Sequence, residues 1–262
     1  MTAPLANDNW GADARIGLFI VGAEVVPEAE WWAMAPPGVS IHAARVTAPT
    51  PWAELRDGAV VLAPDLARGA AQFSGMALSA VVLAHSSSSI AGGPGWDAAV
   101  AAHLTDVLHP ATQATTNGLD CVLALEHLGV HRPFLVFPPW FGEAIVAKGA
   151  GYFTDHGLAV AGAFRHVPEA RWADTAPQNL YREGMHLDQN TDLLFDQIVA
   201  ECPAGADGVL IAGTGFRCVA IIDALEAALG RPVVTANQAS LWRCLDLVGA
   251  AAPISGYGRL LA

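Results

Sequence analysis

Six short apolar runs, separated by helix-length segments, constrain the fold of this chain more than any other feature. They are Arg15–Gly22 (RIGLFIVG), Ser79–His85 (SAVVLAH), Pro133–Pro138 (PFLVFP), Gly157–Phe164 (GLAVAGAF), Gly208–Gly213 (GVLIAG) and Pro232–Ala236 (PVVTA). Each is apolar on both faces of an extended chain, the pattern of parallel strands covered by helices on either side. Between them lie segments with amphipathic helical spacing, such as GWDAAVAAHLTDVLH and NLYREGMHLDQNTDLLFDQIVAEC. Alternating βα units predict an α/β fold with right-handed crossovers.

Composition narrows the function classes. The chain has 262 residues, 53% of them hydrophobic, which is enough to bury a sizeable core. Its net charge of −12, from 25 acidic and 13 basic residues, leaves no basic stripe to follow a phosphate backbone. Nucleic acid is therefore not an expected partner. The four cysteines show no CxxC spacing and read as reduced thiols of a cytoplasmic protein. The N-terminal MTAPLANDNWGADAR lacks a basic start followed by an apolar run, so no signal peptide is expected. No apolar stretch approaches the roughly 20 residues of a membrane helix. Lys148 is the only lysine, which leaves little for Schiff-base chemistry or a Walker motif.

A weak internal echo divides the chain. IGLFIVGAE is mirrored by PFLVFPPWF, and VVLAHSSS by VLIAGTGF, each ahead of a helical pattern. Two similar α/β lobes follow. Ligands of open α/β sheets bind beyond the carboxyl ends of strands. His85 and Gly213 stand at matching strand ends, one per lobe.

With those segments in view, the sequence resembles the Asp/Glu racemase superfamily in its maleate isomerase and arylmalonate decarboxylase branch. The resemblance spans nearly the whole chain. It is most specific in GRPVVTANQASLW (Gly230–Trp242), SSSSIAGGPGW (Ser86–Trp96) and GYGRL (Gly256–Leu260). It implies two flavodoxin-like lobes with parallel sheets, related by a pseudo-twofold, that hold a small carboxylate between them without metal or organic cofactor. Residues 1–114 with 226–262 would form the first lobe and 115–225 the second, because the family's C-terminus returns to the first lobe. A homo-oligomer is a further state that the resemblance leaves open. The family's paired cysteines, in A-C-T-S and S-C-T-N motifs, are replaced here. The matching segments read Ala84-His85-Ser86-Ser87 and Ala212-Gly213-Thr214-Gly215. Glu24 stands where the family's substrate-holding asparagine falls. Phe137-Pro138-Pro139, followed by Trp140, replaces its T-P-Y, removing the tyrosine hydroxyl.

The replacements define the candidate site. His85 supplies a proton donor and acceptor with an ordinary pKa of about 6.5; its bland reading is a core histidine bonded to a carbonyl. Glu24, beyond the first strand, is expected to pair with His85 and orient its ring; its bland reading is a solvated loop carboxylate. Ser86, Ser87, Gly213, Thr214 and Gly215 leave backbone N–H groups free at helix starts, suited to a carboxylate or to plain capping. Trp140, with Trp31, Trp32 and Trp96, falls near the expected cleft, where an aromatic wall would favour an apolar group beside the carboxylate. Cys218, five residues past Gly213, reads as a structural thiol. None of the nine histidines shows H-x-x-x-H spacing on a helix, so no metal is expected.

Two opposed thiols permit racemisation; one histidine facing a glycine favours one-sided acid–base chemistry. A cofactor-independent, decarboxylase-like lyase acting on a small carboxylic acid leads. An isomerase or hydrolase using the His/Glu pair, and a non-catalytic carboxylate-binding protein, remain as alternatives.

Overall fold

The computed structural model of the protein describes residues 10–262. Residues 1–9, placed above in the first lobe, and most of the segment read as lacking a leader lie outside the described residues. The first half runs β1 (Ala14–Val21), α1 (Val26–Met34), β2 (Val39–Val46), a β3–β4 hairpin (Ala53–Arg56 and Ala59–Leu62), α2 (Pro64–Ser74), β5 (Ala80–Leu83), α3 (Ser86–Gly92), α4 (Trp96–Val107) and β6 (Gln113–Thr116). The second half runs α5 (Asn117–His127), β7 (Pro133–Phe137), α6 (Glu143–Asp155), β8 (Gly162–Arg165), α7 (Pro177–Leu180), α8 (Thr191–Glu201), β9 (Gly208–Ile211), α9 (Ile222–Leu229), β10 (Val233–Thr235) and α10 (Ala236–Leu247).

Two four-stranded parallel sheets result, ordered β2-β1-β5-β6 and β8-β7-β9-β10. Both therefore follow one pattern, in which β1 corresponds to β7 and β5 to β9, the pairs that echo in sequence. The α/β fold and the two-lobe repeat stand as expected. The inner strands β1, β5, β7 and β9 are apolar on both faces because each sheet is covered on both. Ile16, Leu18 and Ile20 share one core with Val136, Ile211 and Val233 of the other sheet. On the opposite face Phe19, Val81 and Leu83 pack with Phe73 of α2, Trp52 and Trp96. Full burial of each such side chain contributes roughly 1.5–3 kcal/mol.

The lobe boundaries differ from expectation. Residue 114 falls inside β6, whose Thr116 still pairs with Leu83 of the first sheet. Residue 226 is too early for the return, because Val233–Thr235 pairs with Val209–Ile211 as the edge of the second sheet. The return begins with α10, which packs against β5, β6 and α5. A capping box, Thr235 with Gln238, starts that helix immediately after the strand. Trp31 and Trp96 are fully buried core residues and Trp32 is 42% exposed, so of the four expected tryptophans only Trp140 reaches the site described below.

No helix is long and apolar enough to cross a membrane among the described residues. All four cysteines are free. Among the described residues no group of three or more His, Cys, Asp or Glu side chains is placed to hold a metal.

Candidate active site

The two strand-end loops open onto one cavity of about 180 Å³. All eight residues singled out from the sequence line it: Glu24, His85, Ser86, Ser87, Trp140, Gly213, Thr214 and Gly215. Val21, Phe141 and Tyr181 complete the wall. At about 30 Å³ per water molecule, the space matches about six waters, room for a small acid only.

Glu24 sits in the turn between β1 and α1. Its N–H donates to the Val21 carbonyl at 3.0 Å. Arg45 on the neighbouring β2 holds this turn, donating to the carbonyls of Glu24 (2.6 Å) and Gly22 (3.2 Å) and pairing with Glu28. The carboxyl, 6% exposed, crosses to the second lobe instead of turning toward His85. There the Thr214 hydroxyl lies 3.4 Å from Oε2. A Cβ on Gly215 would stand 2.5 Å from Oε1, so only glycine admits the carboxyl at this place.

Burial pushes the Glu24 pKa up to about 8, against smaller lowering effects of Thr214, Arg45 and Tyr181. Glu24 is then a carboxylic acid at neutral pH. The hydrogen bonds agree with that state. The Thr214 hydroxyl has one hydrogen and meets the Ala84 carbonyl at 3.2 Å, which leaves its oxygen able to accept from a protonated Glu24.

His85 ends the β5 segment and begins α3. Its ring stacks on Trp52, centroids 4.1 Å apart and planes 16° from parallel. Nδ1 lies 2.8 Å from the Ser88 hydroxyl, which also accepts from the Trp52 N–H at 3.0 Å. The Ser88 oxygen could accept twice, but its own hydrogen has no acceptor other than Nδ1, which assigns the ring proton to Nε2. Burial against Trp52 lowers the imidazole pKa to about 3, so His85 is neutral.

The expected Glu24–His85 pair does not form. The two side chains share the cavity, but no hydrogen bond or ion pair joins them. Each is held by its own neighbours: Thr214 for Glu24, Ser88 and Trp52 for His85. Proton capacity accordingly lies on Glu24, and His85 offers a neutral N–H.

The Ser86 hydroxyl donates to Asn117 Oδ1 at 2.6 Å and so is spent inside the protein. Asn117 in turn donates to Ser240 Oγ (2.9 Å), and Ser240 to Asp120 Oδ2 (2.7 Å), while Thr115 bonds the other Asp120 oxygen. This buried chain braces the loop from inside the protein. Gly213 adopts φ +97°, a left-handed backbone that a side chain resists, and a Cβ would meet Pro138 Cγ at 3.0 Å. No cysteine lines the cavity, and Cys218 is buried with its thiol pushed well above its ordinary pKa.

Sequence reasoning missed Tyr181. It lies just beyond α7 in the irregular connection from β8 to α8, where no period or motif singles out one residue. Its ring stacks on His186 (4.0 Å, 9°) and meets Trp140 edge-on (5.1 Å, 73°). The hydroxyl is buried beside Glu24, near enough to perturb it, yet completes no hydrogen bond of good geometry.

Comparison with known proteins follows the same lines. Residues 183–261, which include the Gly213–Gly215 loop, match the family model of arylmalonate decarboxylase. Among curated proteins no sequence is similar at a significant level. Unliganded arylmalonate decarboxylase superposes with a TM-score of 0.73 at 21% identity, covering 95% of this chain and 98% of that one. The maleate isomerase Iso from Pseudomonas putida S16 gives 0.76 at 19% identity, covering 95% and 98%. The maleate cis-trans isomerase of Nocardia farcinica, bound to TRIS, gives 0.77 at 16% identity, covering 95% and 97%. Residues 183–261 thus carry the arylmalonate decarboxylase sequence pattern, and the described residues have the two-lobed fold of arylmalonate decarboxylase and maleate isomerase.

Proposed function

We propose that the protein is a cofactor-independent enzyme acting on a small carboxylic acid, and that it is a lyase of the decarboxylase type with Glu24 as proton donor. One observation carries the reading: a buried carboxyl, its pKa pushed up by that burial, lines a small cavity between two strand-end loops. The match of residues 183–261 to the arylmalonate decarboxylase model supports it. The absence of a cavity cysteine counts against addition of a thiol to a double bond, and against two-thiol racemisation.

The chemistry follows from these groups. Backbone N–H groups of Thr214 and Gly215, and of Ser86 and Ser87, receive one carboxylate of a malonate-like acid. The second carboxylate faces the buried, apolar part of the cavity, where desolvation disfavours its charge. The bond between the α-carbon and that carboxylate breaks and releases CO2. Its electron pair spreads onto the retained carboxylate as an enediolate, and the neutral His85 Nε2–H is a donor for the charge. Glu24 then gives its proton to the α-carbon and regains one from water. Delivery from one side requires no group opposite, which suits Gly213.

The test is turnover of 2-substituted malonates, followed by CO2 release and by incorporation of one solvent deuterium at the α-carbon. Glu24→Gln keeps the shape of the acid and removes its proton; kcat should fall roughly 10²–10⁴-fold. Because the protonated form is active, wild-type turnover should decline as pH rises through about 8, the pKa of Glu24. Unchanged kcat in the Gln variant would remove Glu24 from the mechanism. Turnover of maleate, with every malonate inert, would transfer the protein to the isomerases.

A further inference from the structure

We infer that the Tyr181 hydroxyl is the side-chain donor that holds a carboxylate oxygen of the bound acid; this rests on the small-carboxylate reading of the cavity. Tyr181 lines that cavity, and its hydroxyl is buried without a hydrogen-bond partner. A hydroxyl stripped of water and left unpaired is costly, and native structures seldom keep one without a reason. A ligand oxygen would supply the missing acceptor.

The ring is fixed in advance. His186 stacks against one face at 4.0 Å, and its Nδ1 meets the Tyr181 carbonyl at 3.1 Å. Trp140 abuts the ring at 73° and is itself set edge-on to Phe216 at 5.7 Å. A donor held by packing loses little freedom when it binds. Nor does the second lobe obstruct it. A Cβ on Gly215 would stand 3.1 Å from Tyr181 Cε2, so glycine there keeps the loop clear of the ring, and both residues line the one cavity.

The proton stays in place as well. Burial, and then the charge that Glu24 carries when ionised, push the phenol well above its ordinary pKa, so Tyr181 remains a donor. The neutral Glu24 carboxyl completes no bond of good geometry with it. A charged carboxylate oxygen is the stronger acceptor, and its bonds are short and charge-assisted. Tyr181 would thus fix one end of the acid beside the group that delivers the proton.

Malonate is the probe, titrated calorimetrically into the wild type and Tyr181→Phe, with thermal melting of both. Loss of a hydrogen bond to a charged group weakens binding by roughly 10- to 150-fold. The melting temperature should hold or rise, because the variant deletes only an unpaired buried hydroxyl. Equal affinity of the two proteins would overturn the inference while leaving the carboxylate site intact. Weaker binding with a lowered melting temperature would give Tyr181 a packing role instead. If the wild type binds no malonate, the carboxylate reading of the cavity falls, and this inference with it.

Discussion

Asp120→Asn measures how far burial moves a proton in this fold. The Asp120 carboxyl is wholly buried at the start of α5, bonded to Thr115 and Ser240. Arg243 acts on it from a distance and is paired with Asp246. Burial dominates and raises the pKa to about 8, from an ordinary value of about 3.9 in the unfolded chain. Between those values the folded protein keeps a proton that the unfolded chain has released. This stabilisation is complete below the unfolded pKa and is lost as pH rises through the folded one. The loss approaches about 1.4 kcal/mol per pH unit for one group; from pH 6.5 to 8 it falls from about 2.0 to about 0.4 kcal/mol, a change of about 1.6. Asparagine offers a donating NH2 and an accepting oxygen where the protonated acid has one O–H and one C=O, and it titrates nowhere in this range. Urea unfolding of both proteins at pH 6.5, 7.25 and 8 is the assay. The wild type should lose about 1.6 kcal/mol more than the variant across the series. Glu24 titrates in the same window but cancels in the difference. Parallel pH profiles would show that Asp120 does not hold its proton, and the burial argument would fail for Glu24 by the same logic.

Two further outcomes are expected. Gly213→Cys restores a thiol at the second strand end but forces a side chain into φ +97° against Pro138; it should cost about 1–2 kcal/mol, lower the melting temperature by roughly 2–8 °C and confer no racemase activity, which chiral analysis of product and melting curves would check. Iodoacetamide should leave turnover intact, since Cys121, Cys218 and Cys244 are buried with thiols pushed well above their ordinary pKa and half-buried Cys202 bonds Arg231 away from the cavity; substrate-protectable inactivation would refute the thiol-free site.

Strands β1, β5, β7 and β9 were legible because a strand buried on both faces announces itself in its own residues. The echo between them predicted the repeat, and the rule that ligands lie beyond strand ends led to His85 and Gly213. Of the edge strands, β8 and β10 fall in runs read from the sequence, while β2 and β6 do not. β2 reads VSIHAARV, with His42 and Arg45 interrupting the apolar run, and β6 reads QATT, four residues whose threonines are buried by pairing with β5 and by the packing of α4 and α10. The eight residues singled out from the sequence line one cavity, but the expected pairing of Glu24 with His85 does not form. Glu24 reaches Thr214 across 190 residues, and Tyr181 arrives from a connection without periodicity. Apolar period is a property of neighbouring residues, so a single chain displays it. Which carboxyl keeps its proton, and which hydroxyl lacks a partner, depends on how much water is excluded when two distant loops close on each other, and only the tertiary structure decides that.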